Sequence, residues 1–146
     1  MRAIFTPLLL SIFLAGIPAT AAEPPAWFKE SFLDMREDVA EAAKSGRRLM
    51  LYFHQDGCPY CAKLLRENFG DKAIADKTRK HFDVIAINLW GDREVTDLAG
   101  KPTTEKAFAK ALRVRGTPPR LMRDETRGPA QRAHGYVAPR LLNEWF

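Results

Sequence analysis

Cys58 and Cys61 are the only two cysteines in this 146-residue chain, and they bracket Pro59 and Tyr60 in one tetrapeptide. An uninterrupted apolar run, Leu49-Met50-Leu51-Tyr52-Phe53, precedes them, and a helix-like stretch, Ala62-Lys63-Leu64-Leu65-Arg66-Glu67, follows. A short apolar run of this length reads as a buried strand. Proline suits the first turn of a helix, where the missing N–H has no intrahelical partner to lose. The cysteine pair is therefore expected at a strand-to-helix junction, which calls for a sheet with helices packed on its faces.

Two thiols at this spacing suit three roles. As a structural staple the pair would close so small a loop that it would constrain little of the unfolded chain. As a metal site it lacks company: a tetrahedral zinc needs four ligands, His54 is the one nearby candidate, and there is no second Cys-X-X-Cys. Covalent haem in its usual form needs histidine after the second cysteine, where Ala62 stands. Reversible exchange between dithiol and disulfide fits best. The metal-handling or non-catalytic binding alternative, using His54, Cys58 and Cys61, stays open, with a solvent-facing strand-end His54 as its plainer counterpart.

The amino terminus predicts export. Met1-Arg2 supplies a positive start, residues 3–17 are apolar apart from Thr6 and Ser11, and Ala19-Thr20-Ala21 fits a small-x-small cleavage pattern. Pro7, Gly16 and Pro18 interrupt a stretch already short for a bilayer span. The expected division is a signal peptide over 1–21 and one domain over 22–146, carried to the periplasm. No later segment has the length and apolarity of a membrane span. The net charge of +5 comes from scattered residues; no basic stripe interleaved with base-stacking aromatics points to nucleic acid.

Apolar positions Phe28, Phe32, Met35, Val39 and Ala42 or Ala43 recur at steps of three and four, predicting a helix from about Trp27 that ends at Ser45-Gly46. A helix from Cys58 to about Asn68 is expected next, with Gly70 as its break. A second follows over Asp71–His81, with Ile74 and Thr78 on one side. Val84–Leu89 is the clearest further strand. Residues 91–102 read as irregular, and Thr103 or Thr104 caps a helix to Val114 with Ala107, Phe108, Ala111 and Leu112 inward. Trp90 reads as core rather than as a lid. Gly116-Thr117-Pro118-Pro119 is a turn, Arg120–Arg123 a poor strand candidate, Gln131–His134 an edge strand, and Pro139 opens a short terminal helix.

This order of elements, with CPYC at the strand-to-helix junction and Gly116-Thr117-Pro118 late in the chain, resembles the thioredoxin superfamily. Finer details resemble the exported SoxW-like thioredoxins of bacteria: Trp27-Phe28-Lys29-Glu30-Ser31-Phe32, Asp56-Gly57 before Cys58, Asn88–Val95, and Gly135-Tyr136. The resemblance implies an α/β thioredoxin fold, a central mixed sheet flanked by helices, with Pro118 cis beside the Cys-X-X-Cys motif. It implies that Thr117 and Pro118 shape the groove for a substrate's extended backbone. It also implies a protein-disulfide oxidoreductase that mainly reduces disulfide-bearing proteins, supplied with electrons by a membrane thiol transporter and needing no cofactor beyond the Cys58–Cys61 pair.

Three positions depart from the family pattern. Gly57 stands where many thioredoxins have tryptophan. Tyr52 stands where many have a buried aspartate thought to take a proton from the second cysteine. The strand after Pro118 is usually strongly apolar, yet here it is Pro119-Arg120-Leu121-Met122-Arg123. The expected division of labour is physical. Free N–H groups and the helix dipole favour a thiolate at Cys58, so Cys58 attacks and Cys61, one turn in, resolves. Pro59 and Tyr60 tune the pair.

Overall fold

The structure is a computed structural model that describes residues 23–114, together with the backbone of 120–123 and 131–133. The elements run α1 (Met35–Lys44), β1 (Arg48–His54), α2 (Pro59–Leu64) continued by a π turn (Leu65–Phe69), α3 (Lys72–His81), β2 (Phe82–Asn88), β3 (Glu94–Thr96), β4 (Pro102–Thr104), α4 (Glu105–Ala111), β5 (Arg120–Arg123) and β6 (Gln131–Ala133).

The main sheet has the order β2-β1-β5-β6. β1 and β2 run parallel, with Arg48 opposite Phe82 and His54 opposite Asn88. β5 joins β1 antiparallel, and β6 joins β5 antiparallel. The sheet is thus mixed, as expected. The unpromising run Arg120–Arg123 does form a strand, and it occupies an internal place between β1 and β6. β6 lies at the edge, as its sequence implies. The expected turn at 116–119 and the terminal helix from Pro139 lie outside the described residues.

β1 shows why its sequence is apolar without alternation. Successive strand residues face opposite sides, and both sides of this strand are covered. Leu49, Leu51 and Phe53 join Met35, Ile85, Ile87 and Phe108 in one core, under α1 and α4. Met50 and Tyr52 join Phe28, Cys61, Leu64, Phe69 and Val84 in the other, under α2 and its π turn. The helix carrying Cys61 is therefore tied to the strand that delivers Cys58.

Several expectations are corrected. The first helix begins at Met35, not near Trp27. Asp34 caps it by accepting from the N–H groups of Arg36 and Glu37, and Leu33 turns the chain at φ 64°. Upstream residues serve another purpose: the Lys29 N–H donates to the Val84 carbonyl (2.8 Å) on the outer side of β2, and Phe28 enters the core while Phe32 is fully exposed. The spacing of three and four was real for Met35 onward and coincidental before it. The end of this helix is as expected, with Gly46 at φ 68° and its N–H on the Ala43 carbonyl.

The second correction concerns 91–102. This stretch contains a small hairpin, β3 paired with β4. Asp97 holds its turn by accepting from the N–H groups of Ala99 and Lys101, and Gly100 supplies φ 81°. In α4, Thr104 is the cap and Phe108 is buried, but Ala109 rather than Ala107 or Ala111 faces inward. Glu105, the first residue of that helix, is buried too.

Candidate active site

β1 ends at His54, and Gln55-Asp56-Gly57 leads directly to Cys58. Gly57 sits at φ 68° with open space around it. A side chain there would be strained by the backbone alone, which gives a physical reason for glycine at this departure from the family pattern. Cys58 is the N-cap of α2: its Sγ accepts the Cys61 N–H at 3.1 Å, and its carbonyl accepts from the N–H groups of Cys61 and Ala62. Pro59 follows inside the first turn.

Cys58 and Cys61 are joined as a disulfide, with Cα atoms 5.2 Å apart. Their environments differ. Cys61 is 4% exposed and packs into the core with Leu64 and Tyr52, whereas Cys58 is half-buried at the helix start. Tyr60 is exposed between them. Thr117 and Pro118 lie outside the described residues.

Beneath the pair is Tyr52. It is fully buried, meets Phe28 and Phe69 edge-on, and its hydroxyl lies 3.5 Å from the Cys61 carbonyl, toward which it donates. A phenol packed among aromatic rings thus occupies the position where many thioredoxins carry aspartate. His54 stacks on Tyr52, with ring centroids 6.0 Å apart and 11° between planes. Burial holds its imidazole below the usual histidine range, against the opposing pull of Glu105 and Asp56. Among the described residues no group of three or more His, Cys, Asp or Glu side chains comes together as metal ligands.

Sequence reading missed the polar cluster next to His54. The Glu105 carboxylate is 2% exposed; its Oε1 accepts the Asn88 N–H (3.0 Å) and an Arg93 Nη2–H (2.6 Å). The same Arg93 nitrogen donates to the Ala86 carbonyl. Gly91 leaves room for the carboxylate, since a Cβ there would collide with Glu105 Oε2. The Leu89 N–H donates to the His54 carbonyl, and the Lys106 N–H to that of Gly91. These bonds fasten the turn after β2 to both β1 and α4.

That turn carries Trp90, and here the sequence expectation of a core residue is overturned: Trp90 is 64% exposed. Its indole N–H donates to Gln55 Oε1 at 3.2 Å, and Lys106 Nζ lies 5.5 Å from the ring centroid. Only the Asn88–Val95 segment, quoted above for its family likeness, hinted that these residues matter. Nothing local marks Glu105 as buried.

A mixed sheet that presents a Cys-X-X-Cys disulfide at the start of a helix, with unequal burial of the two sulfurs, defines a dithiol–disulfide module of thioredoxin fold. Residues 35–146 match the family model of the thioredoxin-like domain, and the chain belongs to that family. Among solved structures it is similar to a thioredoxin from Thermus thermophilus, with 24% identity over 77% of this chain and 78% of that one and a TM-score of 0.53. It is also similar to a thioredoxin-fold protein from Helicobacter pylori (21% identity, 76% of this chain, 68% of that one, TM-score 0.57). A third likeness is to the oxidised C-terminal domain of DsbD from Neisseria meningitidis (18% identity, 74% of this chain, 84% of that one, TM-score 0.52). At these identities the likeness is one of fold. No curated protein sequence matches significantly.

Proposed function

We propose that this protein is an exported thiol–disulfide oxidoreductase that reduces disulfides of other proteins through Cys58 and Cys61. One observation carries the reading: Cys58 caps a helix with its sulfur on a backbone N–H, while its disulfide partner is buried one turn further in. A helix start favours negative charge, so the reduced pair would hold its thiolate on the more accessible sulfur.

In the reduced protein the Cys58 thiolate attacks one sulfur of a substrate disulfide. That S–S bond breaks, one substrate sulfur leaves as a thiolate that takes a proton from water, and a mixed disulfide links Cys58 to the other. Cys61 then gives its proton to water and attacks Cys58 Sγ, and the mixed disulfide bond breaks. The second substrate sulfur departs, and the substrate has gained two electrons while the pair has become the Cys58–Cys61 disulfide. Pro59 and Tyr60 tune the poise of the couple, and Thr117 with Pro118 contacts the substrate backbone. Resetting requires a dithiol donor; by likeness to SoxW-type proteins this is a membrane thiol transporter. Residues 1–21 act as the signal peptide and 22–146 as the exported domain.

The test is reduction of a protein disulfide with dithiothreitol as electron source, for wild type, Cys58→Ser and Cys61→Ser. Cys58→Ser should be inactive, and Cys61→Ser should accumulate a covalent adduct because the resolving thiol is gone. Activity surviving Cys58→Ser would refute the reading. Failure of Cys61→Ser to trap a disulfide-bearing protein that wild type reduces would refute the division of roles.

A further inference from the structure

We propose that the groove between Trp90 and α4 docks an acidic segment of the protein whose disulfide is exchanged. This rests on the chemistry proposed above and names the class of substrate. The groove encloses about 510 Å³, within the range of ligand-sized clefts. Leu89 and the exposed face of Trp90 give it an apolar wall, and Gln55, three residues before Cys58, also lines it. Three residue steps of chain span at most about 11 Å, so the backbone of this lining residue lies within that distance of the backbone of Cys58. An extended substrate would place side chains roughly three residues from its cysteine into it.

The charge is one-sided. Lys106, Lys110 and Arg113 line the groove, and no carboxylate does among the described residues. Elsewhere Lys29, Arg36, Arg47, Arg66, Lys72 and Arg93 each meet an aspartate or glutamate. Among the described residues Lys106, Lys110 and Arg113 form no ion pair, and all three are exposed. Lys106 instead rests against the Trp90 ring, which keeps its charge over the apolar wall. The wall itself is held in place: Trp90 is bonded to Gln55 through its indole and to Asn88 Oδ1 through its backbone N–H (3.0 Å). An aromatic ring flanked by three cations that form no ion pair among the described residues complements a carboxylate-bearing peptide. A single-stranded nucleic acid would want successive stacking surfaces, and this groove offers one ring.

The decisive measurement is fluorescence anisotropy of labelled peptides whose cysteine is replaced by serine, so that binding is read without exchange. Two peptides are compared, identical except that three glutamates in one are glutamines in the other. The glutamate peptide should bind about tenfold tighter at low salt, as three exposed charge pairs of two- to threefold each would give. Added salt should erode the difference. The combined variant Lys106→Gln, Lys110→Gln and Arg113→Gln should abolish it, and Trp90→Ala should weaken both peptides. Equal binding of the two peptides by wild type, a preference that survives the triple variant, or tighter binding of an unstructured oligonucleotide would each overturn the proposal. Stoichiometric oxidation of the pre-reduced protein by the neutral 2-hydroxyethyl disulfide separates the two ideas. Wild type and the triple variant should reduce it equally. If wild type does not reduce it, the exchange chemistry fails while the anisotropy still decides the docking.

Discussion

Arg93→Ala offers the sharpest test of how the site is held. Arg93 is 58% exposed, and an exposed substitution usually changes stability by no more than about 0.5 kcal/mol. Its partner is not exposed. Removing the guanidinium leaves the Glu105 carboxylate, 2% exposed, with the Asn88 N–H as its remaining bond through Oε1. Stranding a buried charge costs about 3–5 kcal/mol. Because the Arg93 side of the pair reaches water, screening reduces this, and we expect about 2 kcal/mol. The converse change is milder in kind: Glu105→Ala frees a hydrated arginine but orphans the Asn88 N–H, a loss of about 1–3 kcal/mol. Glu105→Gln keeps an acceptor for Asn88 and removes the charge, so adding it to Arg93→Ala should recover more than half of the loss. Urea unfolding of the oxidised protein measures all of this; with a slope of about 1–2 kcal/mol per molar, Arg93→Ala should lower the midpoint by roughly 1–2 M. A change within about 0.5 kcal/mol for Arg93→Ala, or a double variant no more stable than the single one, would refute the view that a buried carboxylate clamps the Trp90 turn.

Further outcomes follow from single residues. Gly57→Ala meets no neighbour but must adopt φ 68°, so it should lower stability by about 1 kcal/mol in thermal unfolding, and an unchanged midpoint would contradict the left-handed turn before Cys58. Asp34→Ala removes the acceptor for two helix N–H groups and should cost about 1 kcal/mol, whereas Asp34→Asn should cost less. His54 is held below 6.5 by burial, so the unfolded chain binds its proton more readily than the native one. Its contribution is therefore intact above about pH 6.5 and is lost as pH falls through the native value. Subtracting the unfolding curves of His54→Gln from wild type between neutral and mildly acidic pH should show that slope, and a flat difference would show that His54 is not desolvated.

The strands and helices nearest the cysteines were legible because each is decided locally or by two-sided burial. Leu49–Phe53 is apolar at every position, and both of its faces proved to be covered. Pro59 marked the first turn of α2, Thr104 marked a helix cap, and Gly46 marked a helix end. Trp27 to Leu33 misled because Phe28 and Phe32 keep a helical step while Leu33 breaks the backbone and Lys29 pairs with β2. The weak strand Arg120–Arg123 forms despite its composition because β1 and β6 hydrogen-bond it from both sides.

What the sequence determined by itself was the chemistry: two thiols one helical turn apart, a proline that starts the helix between them, and an apolar strand that delivers the first. These are relations between near neighbours, and local backbone physics suffices to read them. Tertiary structure alone decided the surroundings. It put Tyr52 under the pair, sank Glu105 opposite Gly91, and turned Trp90 outward beside three cations. Burial and charge pairing depend on which distant residues share a space, and Asn88, Arg93 and Glu105 become neighbours only when β2 and α4 pack together.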